Sequence, residues 1–152
     1  MSLFFKSKSL LSKEDNETVV AAIREIEQKT TGEIRVFIES KCKFVDSIDR
    51  AIQLFDKLKM RETKKRNAVL IYLAITHKQF AFYGDEAIFN QAGGEMFWKS
   101  AANHFQNNLH EKSLAESLVV AIQELGAALT THFPFDPEVT KNELPDEIVF
   151  GQ

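Results

Sequence analysis

Residues 68–83 read AVLIYLAITHKQFAFY, and this stretch decides the fold that the sequence predicts. Residues 68–75 are apolar without alternation, a pattern typical of a strand that is covered on both faces. Residues 76–78 are short enough for a hairpin turn. Residues 79–83 are therefore predicted to return as an antiparallel strand, with Phe80 and Phe82 on one face.

The segments before this hairpin alternate between helix and strand. Residues 12–29 carry apolar side chains at helical spacing, and Ser12 can cap that helix. After a break at residues 30–32, residues 33–39 alternate in polarity as a strand does. Residues 45–59 again have helical spacing. A strand, a helix and a second strand in this order predict a parallel pair joined by a right-handed crossover.

The chain beyond residue 84 has helical periodicity up to residue 133. Residues 93–94 are both glycine and separate two helical segments, while Ser113 and Glu116 have the spacing of a capping box. Pro134 ends the last helix, because the residue before a proline avoids helical dihedral angles.

These elements predict an α/β fold, a three-layer α/β/α sandwich with a small mixed parallel and antiparallel sheet flanked by helices. Residues 1–11 are interpreted as an N-terminal arm and residues 12–133 as a single domain. Residues 134–152 are interpreted as an acidic tail that packs on the domain or trails from it. Within this tail, residues 147–150 are predicted to add a short edge strand.

Composition excludes several classes of protein. The 152 residues are 44% hydrophobic and 27% charged, as in an ordinary globular domain, and the net charge of -3 argues against a general nucleic-acid binder. A single cysteine, Cys42, excludes an intrachain disulfide and a four-cysteine zinc site. No segment approaches the roughly 20 consecutive apolar residues that span a bilayer, and residues 1–11 lack the order of a signal peptide. We therefore expect a cytoplasmic protein without nucleic-acid partners or stable membrane insertion.

The charge is unevenly distributed along the chain. Residues 134–152 contain five acids and one lysine, a net of -4, which leaves +1 for residues 1–133. Residues 57–66 contain six basic residues and one acid. This basic run has two interpretations, a solvated helix end or a site for a phosphorylated ligand.

The hairpin places the candidate functional residues at two separate ends of the sheet. Asp85 and Glu86 follow the returning strand and are expected at the end where residues 68–75 begin. Their carboxylates, with oxygens from Asn67 and Asn90, are the hard ligands that Ca²⁺ or Mg²⁺ prefers. The alternative for Asp85 is a helix cap, and both roles stay open.

Arg66 and Lys65 lie beside this predicted metal site, where they could hold a phosphate group. At the opposite end, His77 with Asp46 or Asp49 could form a general-base pair, and Cys42 could act as a nucleophile. The alternative is an exposed turn histidine and an incidental cysteine.

The sequence resembles the TPM domain family, in particular its bacterial, non-secreted members. The similarity rests on five stretches that follow the predicted order of elements. They are residues 31–36 (TGEIRV), 66–72 (RNAVLIY), 80–86 (FAFYGDE), 131–134 (THFP) and 142–147 (NELPDE).

The resemblance implies an α/β/α sandwich and, for some members, acid phosphatase activity or calcium binding. It makes Asp85, Glu86 and Arg66 the candidate catalytic residues, and Gln91 or Asn90 stands where members often carry an aspartate. The predicted function is a divalent-cation-binding protein with metal-assisted phosphate monoester hydrolysis. The alternative is a non-catalytic protein-binding or accessory module.

Overall fold

The computed structural model describes residues 11–43, 46–139 and 144–151. The predicted N-terminal arm, apart from Leu11, lies outside these residues. So do residue 45, where the second helix was predicted to begin, and residues 142–143 of the last family motif.

The described chain alternates between helices and strands in the predicted order. Its elements are α1 (Lys13–Glu27), β1 (Glu33–Glu39), α2 (Ser47–Lys57), a short 3₁₀ turn (Met60–Glu62), β2 (Ala68–Ala74), β3 (Gln79–Gly84), α3 (Glu86–Gln91), α4 (Gly94–Glu111), α5 (Leu114–His132) and β4 (Val149–Phe150).

The four strands form one mixed sheet in the order β3-β2-β1-β4. β1 and β2 are parallel, with Glu33 opposite Ala68, and β3 returns antiparallel to β2. β4 pairs with the other side of β1 in a parallel direction, through two residues, and forms the predicted edge strand. The predicted mixed sheet and the hairpin are confirmed.

β2 separates two hydrophobic cores, because all seven of its residues are buried. Val69, Ile71 and Leu73 pack in the larger core with α1, α4 and α5, while Leu70 and Tyr72 pack in the smaller core with α2. Helices therefore cover both faces of the sheet, and the predicted three-layer sandwich is confirmed.

Local sequence signals fix where the helices begin. The Ser12 hydroxyl accepts a hydrogen bond from the backbone N–H of Asp15 at 3.0 Å, and Ser113 and Glu116 form the complete capping box. α2 is shorter than the predicted range of 45–59. It begins after Asp46, whose carboxylate accepts from the backbone N–H of Ile48, and it ends before Lys59, whose φ of 60° is left-handed.

α5 is the one helix, in the part of the chain that the structure describes, whose length and mean hydropathy of 1.2 would allow it to cross a membrane. Its buried side chains, including Leu118, Ile122 and Leu129, belong to the larger core. Gly126 lets α1 approach closely, because a Cβ atom at this position would lie 2.5 Å from Cγ2 of Ile26. These contacts are those of a core helix.

The tail after α5 packs on the domain. The backbone N–H of Leu144 donates to Oε1 of Glu33 at 2.8 Å, and both Leu144 and Ile148 are buried. Asp146 lies 3.6 Å from Arg24 of α1, between Oδ2 and Nε. Asp146 therefore helps to bind the tail to α1, and the backbone N–H of Leu144 binds it to β1.

Glu27 and Asp146 form a carboxyl pair beneath this tail. Glu27 is 4% exposed, and its Oε2 accepts from the backbone N–H of Ile34 at 2.8 Å. Burial, helped by the neighbouring Asp146, raises the pKa of Glu27 to about 9. Oε1 of Glu27 and Oδ1 of Asp146 have no hydrogen-bond partner outside this pair in the described residues.

The raised pKa predicts how the stability depends on pH. The native state holds a proton on Glu27 that the unfolded chain releases near pH 4.5, so the free energy of unfolding should fall as the pH rises from 4.5 to about 9. The slope should approach about 1.4 kcal/mol per pH unit. Glu27→Gln keeps a neutral side chain at every pH, so the stability of the variant relative to the wild type should increase across this range.

Urea unfolding at several pH values between 4.5 and 9 measures this difference. Glu25→Gln is the matched control, because Glu25 is exposed on the same helix. Parallel stability curves for the wild type and Glu27→Gln would contradict the raised pKa of Glu27.

Candidate functional site

The turn after β3 returns to the beginning of β2, as the hairpin predicted. Gly84 lies opposite Val69, and the backbone N–H of Asp85 donates to the carbonyl oxygen of Ala68 at 3.0 Å. The N–H of Ala87 donates to the carbonyl of Arg66 at 3.2 Å. The backbone thus brings the predicted site residues Asp85, Glu86, Arg66 and Asn67 together, whereas Asn90 lies exposed further along α3.

Asp85 forms a two-point salt bridge with Arg66. Nε of Arg66 donates to Oδ2 at 2.8 Å and Nη2 donates to Oδ1 at 2.9 Å. The Asp85 side chain is fully buried, whereas that of Arg66 is 39% exposed. Arg66 adopts a left-handed φ of 52°, which is uncommon for a residue with a side chain. This paired fork is the strongest form of arginine–carboxylate contact.

A second arginine, Arg61, lies on the other side of Asp85. Its Nη1 is 3.6 Å from Oδ1 of Asp85, and its Nη2 donates to the hydroxyl of Tyr83 at 3.0 Å. Nε of Arg61 donates to Asp56, and the guanidinium lies 5.0 Å from the ring centre of Phe55. The hydrogen bond to Tyr83 is the largest cause of a raised pKa for Arg61. Arg61 is therefore fixed by partners on several sides.

Asp85 also caps α3. Its Oδ1 accepts from the backbone N–H of Glu86 at 2.7 Å, which confirms the capping interpretation. Each carboxylate oxygen of Asp85 therefore already has at least one donor. The Glu86 side chain is 65% exposed, and its Oε1 lies 3.4 Å from Nη1 of Arg66.

Asn67 connects this turn with the start of β1. Its Nδ2 donates to the hydroxyl of Thr31 at 3.2 Å, and its carbonyl accepts from the N–H of Glu33 at 3.5 Å. Asn67 is 1% exposed, and its Oδ1 has no hydrogen-bond partner in the described residues. This buried oxygen therefore still has its full capacity to accept a hydrogen bond or to bind a cation.

The arrangement of Asp85 does not fit a Ca²⁺ or Mg²⁺ ion. Its oxygens accept from Arg66 and from a backbone N–H, and a second guanidinium is within 4 Å. A divalent cation would have to displace one positive charge and approach another. Among the described residues, no three His, Cys, Asp or Glu side chains are grouped as a metal site would require. Binding of Ca²⁺ or Mg²⁺ by Asp85, Glu86, Asn67 and Asn90 stays a prediction.

The basic run at residues 57–66 is divided by the structure. Arg61 and Arg66 point toward Asp85, whereas Lys64 and Lys65 are exposed in the turn before β2. Arg66, which was predicted to bind a phosphate group, therefore already forms ion pairs with the carboxylates of Asp85 and Glu86.

At the opposite end of the sheet, His77 contacts the backbone of Cys42. Its Nδ1 lies 3.0 Å from both the nitrogen and the oxygen of Cys42, which is itself buried. Asp46 instead caps α2. His77 is thus held by the loop after β1 and lies exposed in the turn, and its pairing with Asp46 or Asp49 stays a prediction.

Sequence reasoning missed a groove of about 790 Å³ beside the carboxyl ends of β1 and β4. Its lining includes Lys41, Lys43, Arg50 and Lys57. The sequence signals for this groove are the basic residues Arg50 and Lys57 on α2 and the two lysines directly after β1. These residues do not predict a groove by themselves, because β4, which completes it, belongs to the C-terminal tail.

Residues 5–128 match the family model described as the TPM domain. The NMR structure of the BA42 protein from the psychrophilic bacterium Bizionia argentinensis is similar, with 36% identity and a TM-score of 0.84, over 95% of this chain and 98% of that one. No curated protein matches the chain.

A second similar structure is the N-terminal domain of the cg2496 protein from Corynebacterium glutamicum. It has 18% identity and a TM-score of 0.62, over 80% of this chain and 75% of that one. This second likeness shows a shared fold alone.

The paired Asp85 predicts a clear difference between two adjacent acids. Asp85→Ala removes the cap of α3 and leaves two arginines without their buried partner, so it should destabilise the fold by about 1–2 kcal/mol or more. Glu86→Ala removes an exposed side chain and should change the stability by less than about 0.5 kcal/mol.

Urea unfolding of both variants and of Asp85→Asn tests this expectation. Asp85→Asn retains a capping oxygen and removes the charge, so it separates the two effects. Equal stability losses for Asp85→Ala and Glu86→Ala would show that the salt bridge is not structural.

Proposed function

Because this chain belongs to the TPM domain family, we propose that it acts as a non-catalytic binding or accessory module of that family. In this proposal the ion pairs of Asp85 with Arg61 and Arg66 stabilise the end of the sheet where β2 begins and β3 ends, and we call this cluster the structural lock. The function of the protein then depends on other surfaces of the domain.

The occupancy of the Asp85 carboxylate carries this proposal. A catalytic acid, base or metal ligand must offer an oxygen to the reacting groups. Both oxygens of Asp85 accept from Arg66, one also accepts from the backbone of Glu86, and the side chain is fully buried. Opening this pair would leave a buried charge without its partner, which costs free energy.

The chemistry of α3 agrees with a non-catalytic role. Asn90 and Gln91 are the positions aligned with the aspartate that family members often carry, and both side chains are uncharged amides. Glu86 is then the remaining carboxylate beside Asp85 in α3, and it is largely exposed. An exposed carboxylate is strongly solvated and binds a divalent cation weakly when it acts alone.

Divalent-cation binding is the second candidate, and one observation favours it. Oδ1 of Asn67 is buried without a hydrogen-bond partner in the described residues, and a cation would satisfy this oxygen. Binding at Asp85 would also require Arg66 to move away. The acid phosphatase-like hydrolysis that the family resemblance implies belongs to this second candidate.

Titration of the ¹⁵N-labelled chain with Ca²⁺, and separately with Mg²⁺, distinguishes the two candidates. If the structural lock is the role of Asp85, we expect no saturable NMR shifts at residues 67 and 84–91, because the Asp85 carboxylate is already paired with Arg66. Under the second candidate these shifts should saturate. They should be lost in Asp85→Asn and strengthened in Arg66→Gln, which removes the competing cation.

Hydrolysis of an aryl phosphate by the purified chain is the accompanying assay. The structural lock predicts the same background rate for the wild type and for the double variant Asp85→Asn with Glu86→Gln. A rate that requires Mg²⁺ or Ca²⁺ and disappears in the double variant would overturn the non-catalytic proposal.

A further inference from the structure

The groove that lies beside the carboxyl ends of β1 and β4 is at the end of the sheet opposite Asp85. It is bounded by the residues after β1, by one side of α2 and by β4. Its volume of about 790 Å³ is within the range of pockets that bind small organic molecules. The Asp85 turn contributes nothing to its lining, so the two ends can be tested independently.

Topology supports a binding role for this position. The connection from β1 to β2 runs through α2 on one face, whereas α5, the last helix before β4, packs on the other face. β4 and β2 lie on opposite sides of β1, and all three strands are parallel. In open α/β sheets, ligands bind outside the carboxyl ends of the strands at such a change of direction.

The rim of the groove is strongly basic. Lys41, Lys43, Lys57 and Arg50 line it, against one acid, Glu39, so the lining carries a net charge of +3 in a chain whose total charge is -3. Within the described residues, none of the three lysines forms a salt bridge, and all three are exposed. Concentrated positive charge in a concave surface attracts anions.

Arg50 is held in place at the centre of this rim. Its Nε and Nη2 donate to the two carboxylate oxygens of Glu39, each at 2.9 Å, and Tyr72 donates to the same carboxylate at 2.5 Å. Glu39 is 5% exposed, and Arg50 is its direct ion-pair partner. The net positive charge of the rim therefore comes from the three lysines.

The floor of the groove is apolar. Phe37, Leu54, Leu58 and Val149 contribute to it, and the backbone of Gly151 passes over the Phe37 ring, where a Cβ atom would lie 2.7 Å from Cζ. An apolar floor under a basic rim matches a ligand that has an anionic head and an apolar body.

We infer that this groove binds an organic phosphate monoester with an apolar body, its phosphate placed at Lys41 and Lys43. A doubly charged phosphate group meets these two exposed ammonium groups, and the alkyl or aryl part covers the apolar floor, which extends along α2 toward Lys57. This inference names a ligand for the proposed binding module, but it uses residues separate from the Asp85 lock.

Octylphosphonate is a suitable probe, because its carbon–phosphorus bond resists hydrolysis and so separates binding from phosphatase activity. Titration of the ¹⁵N-labelled chain should give saturable NMR shifts at residues 40–43, 53–58 and 149–151. Octanol, which lacks the charge, and inorganic phosphate, which lacks the apolar body, should each bind at least about tenfold more weakly.

Two matched double variants test the position of the phosphate. Lys41→Gln with Lys43→Gln should weaken octylphosphonate binding by about fivefold to tenfold. Lys64→Gln with Lys65→Gln removes the same charge from the opposite end of the sheet and should leave binding unchanged. Gln53→Glu adds an acid at an exposed groove position and should also weaken binding.

Several results would overturn this inference. They are the absence of saturable binding, equal weakening by the two double variants, and shifts confined to residues 84–91. Cosedimentation with vesicles that contain phosphatidic acid, without binding of dispersed octylphosphonate, would indicate a membrane surface as the partner instead of a soluble phosphate ester.

Discussion

The structure depends on the burial of β2 on both faces and along both edges. All seven residues of this strand are buried, and it is hydrogen-bonded to β1 on one side and to β3 on the other. A strand in this position can be stable only if separate helical layers cover its two faces. The crossover through α2 supplies one layer, and α1 with the helices after β3 supplies the other.

This arrangement separates the two chemically distinct ends of the sheet. The β3 hairpin directs Asp85 back to the beginning of β2, where the arginines neutralise it, while the residues after β1 emerge at the opposite end. At the first end the charges of Arg61 and Arg66 are paired with acids, whereas Lys64 and Lys65 stay exposed. At the second end three exposed lysines line a groove. The paired charges fix the first end, and the groove makes the second end available for a ligand.

Most of the fold was predictable because it follows from local periodicity. The uninterrupted apolar run at residues 68–75 and the short turn after it predicted the central hairpin, and capping residues such as Ser113 marked helix starts. The site was less predictable, because the partners of Asp85 are set by three-dimensional contacts. Sequence placed Arg66 near Asp85 but could not distinguish a phosphate-binding arginine from one that saturates the carboxylate. The pairing of Glu27 with Asp146 joins distant segments and left no local pattern.

The tail is expected to fold later than the rest of the domain. Leu144 and Glu33 are 111 positions apart in the chain, and β4 contributes only two paired residues to β1. Closing so long a loop is entropically unfavourable until α1, β1 and α5 have already come together. β4 is therefore expected to form last and to open first, so its amide hydrogens should exchange with solvent well before those of β2. A groove completed by β4 is then a property of the fully folded chain alone, and its ligand would report on the last step of folding.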